Sequence, residues 1–138
     1  MSVRAVDHVN IVTEQLEATR IFFQEVLGLE AGPRPPFAVT GYWLYAGERA
    51  LVHIQVAKGP VRPSAEGALN HFALVATDFD GILEKVRARG QAPTVVTVPG
   101  TPVRQAFFLD PNGVRIEITE PTEAILPALT REGVSPSA

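Results

Sequence analysis

The sequence repeats one pattern at an interval of about half the chain length. The pattern is a strand-like stretch that carries a histidine near its start. The first copy is VDHVNIV around His8, and the second is LNHFALV around His71, 63 positions later. On the last predicted strand of each half, His53 and Glu117 stand 64 positions apart. Self-similarity at such a period indicates a duplicated supersecondary unit, with one polar side chain on its first strand and another on its last.

Alternation of apolar and polar residues predicts strands in these four places. The segment ALVHIQVA puts Val52 and Ile54 on one face and His53 on the other, because side chains alternate along a strand. The segment VRIEITE repeats this arrangement, with Glu117 opposite its two isoleucines. The apolar faces must pack beneath helices, so His53 and Glu117 are expected on the opposite, concave face.

Amphipathic periodicity predicts one helix in each half, over about residues 14–27 and within TDFDGILEKVRARG. Thr77 and Asp80 form a weak capping box at the start of the second helix. The segment LDPNGV predicts a hairpin turn, because Asn-Gly supplies the positive φ angles that such turns need. No role beyond the turn is expected for its residues.

The predicted organisation is two modules and a tail. The first module covers residues 1–60, a linker rich in proline and glycine covers 61–68, and the second module covers 69–121. The remaining residues, 122–138, are expected to form a short helix and a frayed terminus.

Composition excludes several function classes. A net charge of −3 and a pI near 5.6 disfavour a surface for nucleic acid or an anionic membrane. The absence of cysteine excludes disulfides, thiolate catalysis and cysteine-based metal sites. No signal-like start and no membrane-spanning apolar run is visible, so a cytoplasmic protein is expected.

All three histidines of the protein fall within this repeated arrangement. A lone strand histidine is more often structural than a ligand, but buried imidazole and carboxylate groups are costly unless they are paired or bind a metal. Two or three imidazoles with one carboxylate suit a divalent ion such as zinc, nickel, iron(II) or manganese. The candidate ligands are His8, His71, Glu117 and, less strongly, His53.

Four segments, VDHVNIV, FFQEVLGLE, NHFALVATDFD and FFLDPNGVRIEITE, resemble motifs of the vicinal oxygen chelate superfamily. That superfamily includes glyoxalase I, methylmalonyl-CoA epimerase, extradiol dioxygenases, and fosfomycin- and bleomycin-resistance proteins. The likeness extends from about residue 3 to residue 120. It implies an α+β fold in which two paired βαβββ modules form a cup of curved mixed sheet. Many relatives of this size build the cup across a homodimer.

The resemblance, carried over residue by residue, implies metal ligands at His8, His71 and Glu117. The fourth position, typically glutamate in glyoxalase I, is His53 here. This residue is interpreted as a further ligand, a proton-transferring base or a wall residue, and Glu117 is the other candidate base. The remaining candidates are expected to line a substrate pocket: Asn10, Trp43, Tyr45, Gln55 and Arg115.

The resemblance implies a metal-dependent enzyme that chelates a small, oxygen-rich substrate. The best-fitting chemistry is proton transfer through a metal-bound enolate, as in glyoxalase-type lyases and isomerases. One alternative is an iron(II) extradiol-type dioxygenase that uses His8, His71 and Glu117 as a facial triad. Another is a metal-free drug-binding protein like the bleomycin-resistance proteins. A small molecule and a second copy of the chain are the expected partners.

Overall fold

The structure, a computed structural model, describes residues 2–122, so the predicted helix and frayed end of the tail lie outside the described residues. The elements are β1 (Val9–Thr13), α1 (Leu16–Leu27), β2 (Glu30–Gly32), β3 (Gly41–Ala46), β4 (Arg49–Val56), β5 (His71–Val75), α2 (Phe79–Ala88), β6 (Thr94–Thr97), β7 (Arg104–Leu109) and β8 (Arg115–Thr119). They form two four-stranded mixed sheets, ordered β1-β4-β3-β2 and β5-β8-β7-β6. The predicted α+β class and the repeated βαβββ module are confirmed.

In the first sheet, the predicted alternation of β4 is observed. Val52 and Ile54 are almost completely buried, whereas His53 between them is half-buried on the other face. β1 runs parallel to β4 and pairs Asn10 with His53, and antiparallel β3 pairs Trp43 with His53 on the other side. His53 therefore lies in the middle of a row of three paired residues, one from each of the strands β1, β4 and β3.

Helix α1 covers the apolar face of this sheet with Phe22, Phe23 and Val26, each at most 2% exposed. The helix ends at Gly28, whose φ of 69° is left-handed and lets its N–H donate to the carbonyls of the last turn. It begins two residues later than predicted, at Leu16, after Thr13 Oγ1 has accepted the backbone N–H of Gln15.

In the second module, the buried residues follow the predicted periodicities of β8 and α2. Ile116 and Ile118 are fully buried, and the apolar side chains of α2 are also buried: Phe79, Ile82, Leu83 and Val86. The predicted capping box is wrong, because the N-cap is Asp78, whose carboxylate accepts from Gly81 N. Asp80 instead accepts two hydrogen bonds from the Arg104 guanidinium, at 2.9 and 3.1 Å.

The hairpin between β7 and β8 is confirmed, but the predicted turn geometry is wrong. Among the described residues no non-glycine residue has a positive φ, so only Gly113, with φ of 78°, is left-handed in this turn. The Asp110 carboxylate shapes the loop by accepting the backbone N–H groups of Asn112 (2.8 Å) and Val114 (2.9 Å).

The expectation that this turn has no further role is also wrong. The Asn112 side chain accepts from Thr13 Oγ1 at 2.6 Å and donates to Thr19 Oγ1 at 3.0 Å, and both threonines are fully buried. Gln15 Nε2 adds a hydrogen bond to the Pro111 carbonyl at 3.1 Å. These bonds attach the hairpin loop to the start of α1.

The chain divides into two compact units. Within the described residues, the first comprises 2–72 together with Leu109–Arg115, and the second comprises Ala73–Phe108 together with 116–122. The first unit therefore includes residues 61–68 and the docked hairpin loop. Neither of the two described helices has the length and apolar character needed to cross a bilayer.

Candidate functional site

Three aromatic rings form a stack in the first unit. The rings of His8 and His53 are nearly parallel, with centroids 3.7 Å apart and an interplanar angle of 12°. Trp43 stacks on His53 with centroids 4.2 Å apart, also at 12°. Strand order explains the stack, because β4 lies between β1, which His8 immediately precedes, and β3, which carries Trp43. We call these three residues the ring stack.

The two repeated histidines share a hydrogen bond to the preceding residue, which sequence reasoning missed. His8 Nδ1 lies 2.7 Å from Asp7 Oδ2, and His71 Nδ1 lies 2.9 Å from Asn70 Oδ1. A carboxylate and an amide oxygen can only accept, so Nδ1 is the donor in each of these two hydrogen bonds. The signal was visible in the sequence as an oxygen-bearing residue directly before each histidine. The hydrogen bond to His8 also lowers the pKa of Asp7.

Glu117 lies on β8, on the face opposite Ile116 and Ile118, as predicted from the alternation. It is only 8% exposed, and no basic side chain among residues 2–122 forms an ion pair with its carboxylate. A buried carboxylate without a countercharge is costly, so this group is suited to receiving a cation.

The placement of these side chains bears on whether they form a metal centre. Among residues 2–122, no group of three or more histidine, aspartate or glutamate side chains is placed to hold one ion. The ring stack also does not suit joint ligation by His8 and His53. A metal lies in the plane of the imidazole that binds it, about 2.0–2.1 Å from the nitrogen. One ion cannot satisfy two parallel planes separated in this way, so His53 fits poorly as a co-ligand of His8.

His53 is better suited to accept a proton. Burial lowers the pKa of its imidazole, and a positive charge on His8 would lower it further, whereas a hydrogen bond to the Ala50 backbone partly opposes these effects. The ring is therefore neutral near pH 7.

Two cavities adjoin the ring stack, and all three rings line both. The one towards the end of β4, of about 280 Å³, is called the Arg34 cavity; its other lining residues are Asn10, Arg34, Phe37, Val39, Ile54 and Gln55. The other, of about 360 Å³, is called the hairpin cavity because it adjoins the β3–β4 hairpin; its other lining residues are Asp7, Tyr45, Glu48, Arg49 and Ala50.

The predicted pocket residues divide between these places. Asn10 donates to Gln55 Oε1 at 3.3 Å, and both line the Arg34 cavity. Trp43 lines both cavities, and Tyr45 lines the hairpin cavity while its hydroxyl donates to the Pro33 carbonyl. Arg115 lines neither cavity and donates to the Ala65 carbonyl at 3.1 Å.

Sequence reasoning missed Arg34 and Phe37, which lie in the loop between β2 and β3. The guanidinium of Arg34 donates to the Val39 carbonyl at 3.0 Å and lies over the Phe37 ring, 5.1 Å from its centroid. The only available signal was one arginine within the segment GPRPPF.

A duplicated βαβββ fold whose sheet carries histidines, amides and aromatic rings beside cavities is suited to binding a small molecule. The model of the Glyoxalase/Bleomycin resistance protein/Dioxygenase superfamily matches residues 5–118, and the chain belongs to this superfamily. The resemblance inferred from the sequence motifs is thereby confirmed.

Individual relatives agree with this assignment. The chain is 27% identical over 121 residues to Glyoxylase I 4 of Arabidopsis thaliana, covering 83% of this chain and 69% of that protein. The crystal structure of a glyoxalase family protein from Enterococcus faecalis matches with a TM-score of 0.64 at 26% identity, covering 87% of this chain and all of that one. A glyoxylase/bleomycin resistance protein/dioxygenase domain from Frankia sp. EAN1pec matches in fold, with a TM-score of 0.71 at 17% identity, covering 86% and 98% of the two chains.

Proposed function

We propose that this protein is a metal-dependent enzyme that moves a proton at a carbon beside a carbonyl of a small, oxygen-rich substrate. This is the chemistry of glyoxalase-type lyases and isomerases. Superfamily membership and the similarity to a protein named Glyoxylase I 4 support the proposal. The observation that carries it is the matched pair His8–Asp7 and His71–Asn70, in which each histidine donates through Nδ1 to the preceding residue and would bind a cation through Nε2.

The donor set fits a divalent transition metal. His8 and His71 would supply imidazole nitrogens and Glu117 a carboxylate, a combination that suits zinc, nickel, iron(II) or manganese. Hydrogen bonds to the second ring nitrogen are what orient metal-bound histidines in proteins, and Asp7 and Asn70 are placed to provide them. When bound, the ion would act as a Lewis acid on a substrate oxygen.

His53 is the proposed base. Its ring is neutral near pH 7, lines both cavities and is held between two other rings, so its orientation is fixed before a substrate arrives. General bases work best when they are unprotonated and preoriented at the operating pH. Glu117, the other base considered from the sequence, is assigned to the metal because it is buried and forms no ion pair with a basic side chain among residues 2–122.

We further propose that a homodimer completes the ligand set, since no three candidate ligands meet within residues 2–122. The test is co-expression of differently tagged His8→Ala and Glu117→Gln chains. If each site takes His8 from one chain and Glu117 from the other, the purified heterodimer regains one intact site, so its metal content rises from near zero to half that of the native dimer. A heterodimer as metal-free as the two parent variants would contradict this division of the ligands between the chains.

The central experiment is elemental analysis of protein purified without added metal, combined with proton exchange. His8→Ala, His71→Ala and Glu117→Gln are each expected to lose the ion. His53→Gln is the matched control, because it should retain the ion but lose incorporation of solvent deuterium into α-hydroxy carbonyl compounds, measured by NMR. Native protein that carries no metal and takes none up would refute the proposal.

A second candidate is a metal-free binding protein, like the bleomycin-resistance proteins of the superfamily. The ring stack favours it, because His8 and His53 face each other rather than one ion. The elemental analysis separates it from the first proposal.

An iron(II) dioxygenase would use the same three ligands. Anaerobic iron loading followed by a catechol-cleavage assay tests that possibility directly.

A further inference from the structure

Arg34 lines the Arg34 cavity, and one donor of its side chain has no partner within residues 2–122. Among the described residues, its Nε is the one buried side-chain nitrogen or oxygen that lacks a hydrogen-bond partner. Native proteins rarely leave such a group unpaired, and a water or ion that completes the hydrogen bond is one of the accepted explanations. The other end of the guanidinium is already fixed, since Nη2 donates to the Val39 carbonyl.

The charge of this cavity favours an anion. Arg34 supplies a permanent positive charge, Asn10 and Gln55 supply amide groups, and no aspartate or glutamate is among the lining residues that the structure describes. The hairpin cavity differs, because Asp7 and Glu48 line it beside Arg49 and offset its positive charge. Of the two cavities, the Arg34 cavity therefore has the uncompensated cation.

The same cavity presents flat apolar surface. Trp43 and Phe37 form one part of its wall, with ring centroids 6.2 Å apart, and Phe37 leaves 54% of its surface exposed. An exposed phenylalanine beside an arginine suits a ligand that has both an apolar body and an anionic group.

Gly41 is what allows the Arg34 side chain to occupy this position. A Cβ atom at residue 41 would stand 3.1 Å from Arg34 Nη2 and 2.1 Å from the Ile54 carbonyl oxygen. The first residue of β3 thus leaves space for the guanidinium against the end of β4.

We propose that the Arg34 cavity is a recognition site for a carboxylate with a flat, apolar body, whose carboxylate is bound by Arg34 and whose body covers Phe37 and Trp43. Guanidinium groups match carboxylates in geometry, and charge-assisted hydrogen bonds are the strong ones. As the substrate class of the enzyme, this inference rests on the proposed function; as a binding site, it does not.

The test uses Trp43, which is the only tryptophan of the chain and lies in the cavity. Full-length protein freed of metal with a chelator is titrated with phenylacetate while tryptophan emission is followed. A saturable change is expected. Phenylacetamide lacks the charge and acetate lacks the apolar body, so each should bind at least about tenfold more weakly.

Two arginine variants give the matched comparison. Arg34→Gln should weaken phenylacetate binding by about tenfold or more, whereas Arg49→Gln, which alters the hairpin cavity, should leave it unchanged. Arg34→Lys keeps the charge but not the planar fork and should bind at an intermediate level; circular dichroism confirms that each variant folds. Native-like binding by Arg34→Gln, an equal loss in Arg49→Gln, equal binding of the amide, or no saturable response would each overturn the inference.

The result of the phenylacetate titration is independent of the metal experiments, because the titrated protein has been freed of metal. If the protein binds metal and exchanges protons but does not bind phenylacetate, only the proposed carboxylate site is refuted. A protein that binds phenylacetate but never takes up metal would refute only the proposed enzyme function.

Discussion

Replacing Asn112 with alanine should destabilise the first unit far more than its position in a surface turn suggests. The Asn112 side chain accepts from Thr13 Oγ1 and donates to Thr19 Oγ1 and Asp110 Oδ2, at 2.6, 3.0 and 2.8 Å. Both threonines are fully buried and Asp110 is 4% exposed, so water does not replace the lost bonds without rearrangement.

The magnitude follows from these three bonds. Each hydrogen bond of this kind contributes about 1 kcal/mol net, and a buried group that loses its partner costs about 1–3 kcal/mol. Thr13 and Thr19 keep each other and the chain around Gln15 as partners, which limits the penalty. The expected loss for Asn112→Ala is about 3 kcal/mol, of which most reflects Thr13 and Asp110.

Urea denaturation followed by circular dichroism measures this loss. Asn10→Ala is the matched control, because Asn10 is exposed and its side chain makes one long bond, of 3.3 Å to Gln55. That control should change the free energy of unfolding by no more than about 0.5 kcal/mol. If Asn112→Ala cost no more than Asn10→Ala, the network would not hold the loop to the helix, and the reasoning would be refuted.

Three further predictions concern local features. Burial lowers the pKa of His53, so the unfolded chain binds a proton that the native protein does not. Stability should therefore be full above about pH 6.5 and fall as the pH is lowered, and His53→Gln should flatten that dependence in unfolding free energies measured between about pH 8 and pH 5. Gly41→Ala should lower the free energy of unfolding by at least about 2 kcal/mol in urea denaturation, because the new Cβ would stand 2.1 Å from a carbonyl oxygen. Gly59→Ala, which has open space around it, should lower it little, and equal losses in the two variants would contradict the clash. Asp78→Ala should lower the stability by about 1 kcal/mol because it removes the α2 cap, whereas Thr77→Ala should change the stability very little. A larger loss for Thr77→Ala than for Asp78→Ala in thermal unfolding would support the predicted capping box instead.

The parts of the fold that sequence reasoning predicted are those decided by neighbouring residues. Alternation along β4 was sufficient to separate Val52 and Ile54 from His53, because burial on a strand has a period of two residues. The α2 cap was assigned to the wrong residue because Asp80 is bound by Arg104, which lies 24 residues away and has no local signature.

The same limit applies to the candidate site. Sequence periodicity brought His53 to the correct face, but the ring stack depends on β1 pairing with β4 in parallel, a choice that no short segment encodes. Arg34 was missed because its position depends on a loop that closes onto the Val39 carbonyl and on the space left by Gly41. A loop residue becomes a site residue only through such distant contacts.

The two halves repeat a donor geometry but not its charge. In both, Nδ1 of the histidine donates to a side-chain oxygen of the preceding residue. In the first half that oxygen belongs to Asp7, whose lowered pKa keeps it ionised, and a carboxylate partner makes an imidazole a stronger donor to a cation. In the second half Asn70 orients His71 without adding charge. Because the hydrogen bond is common to both halves and the charge is not, residue 7 is the position at which the affinity of His8 for the proposed metal can differ from that of His71.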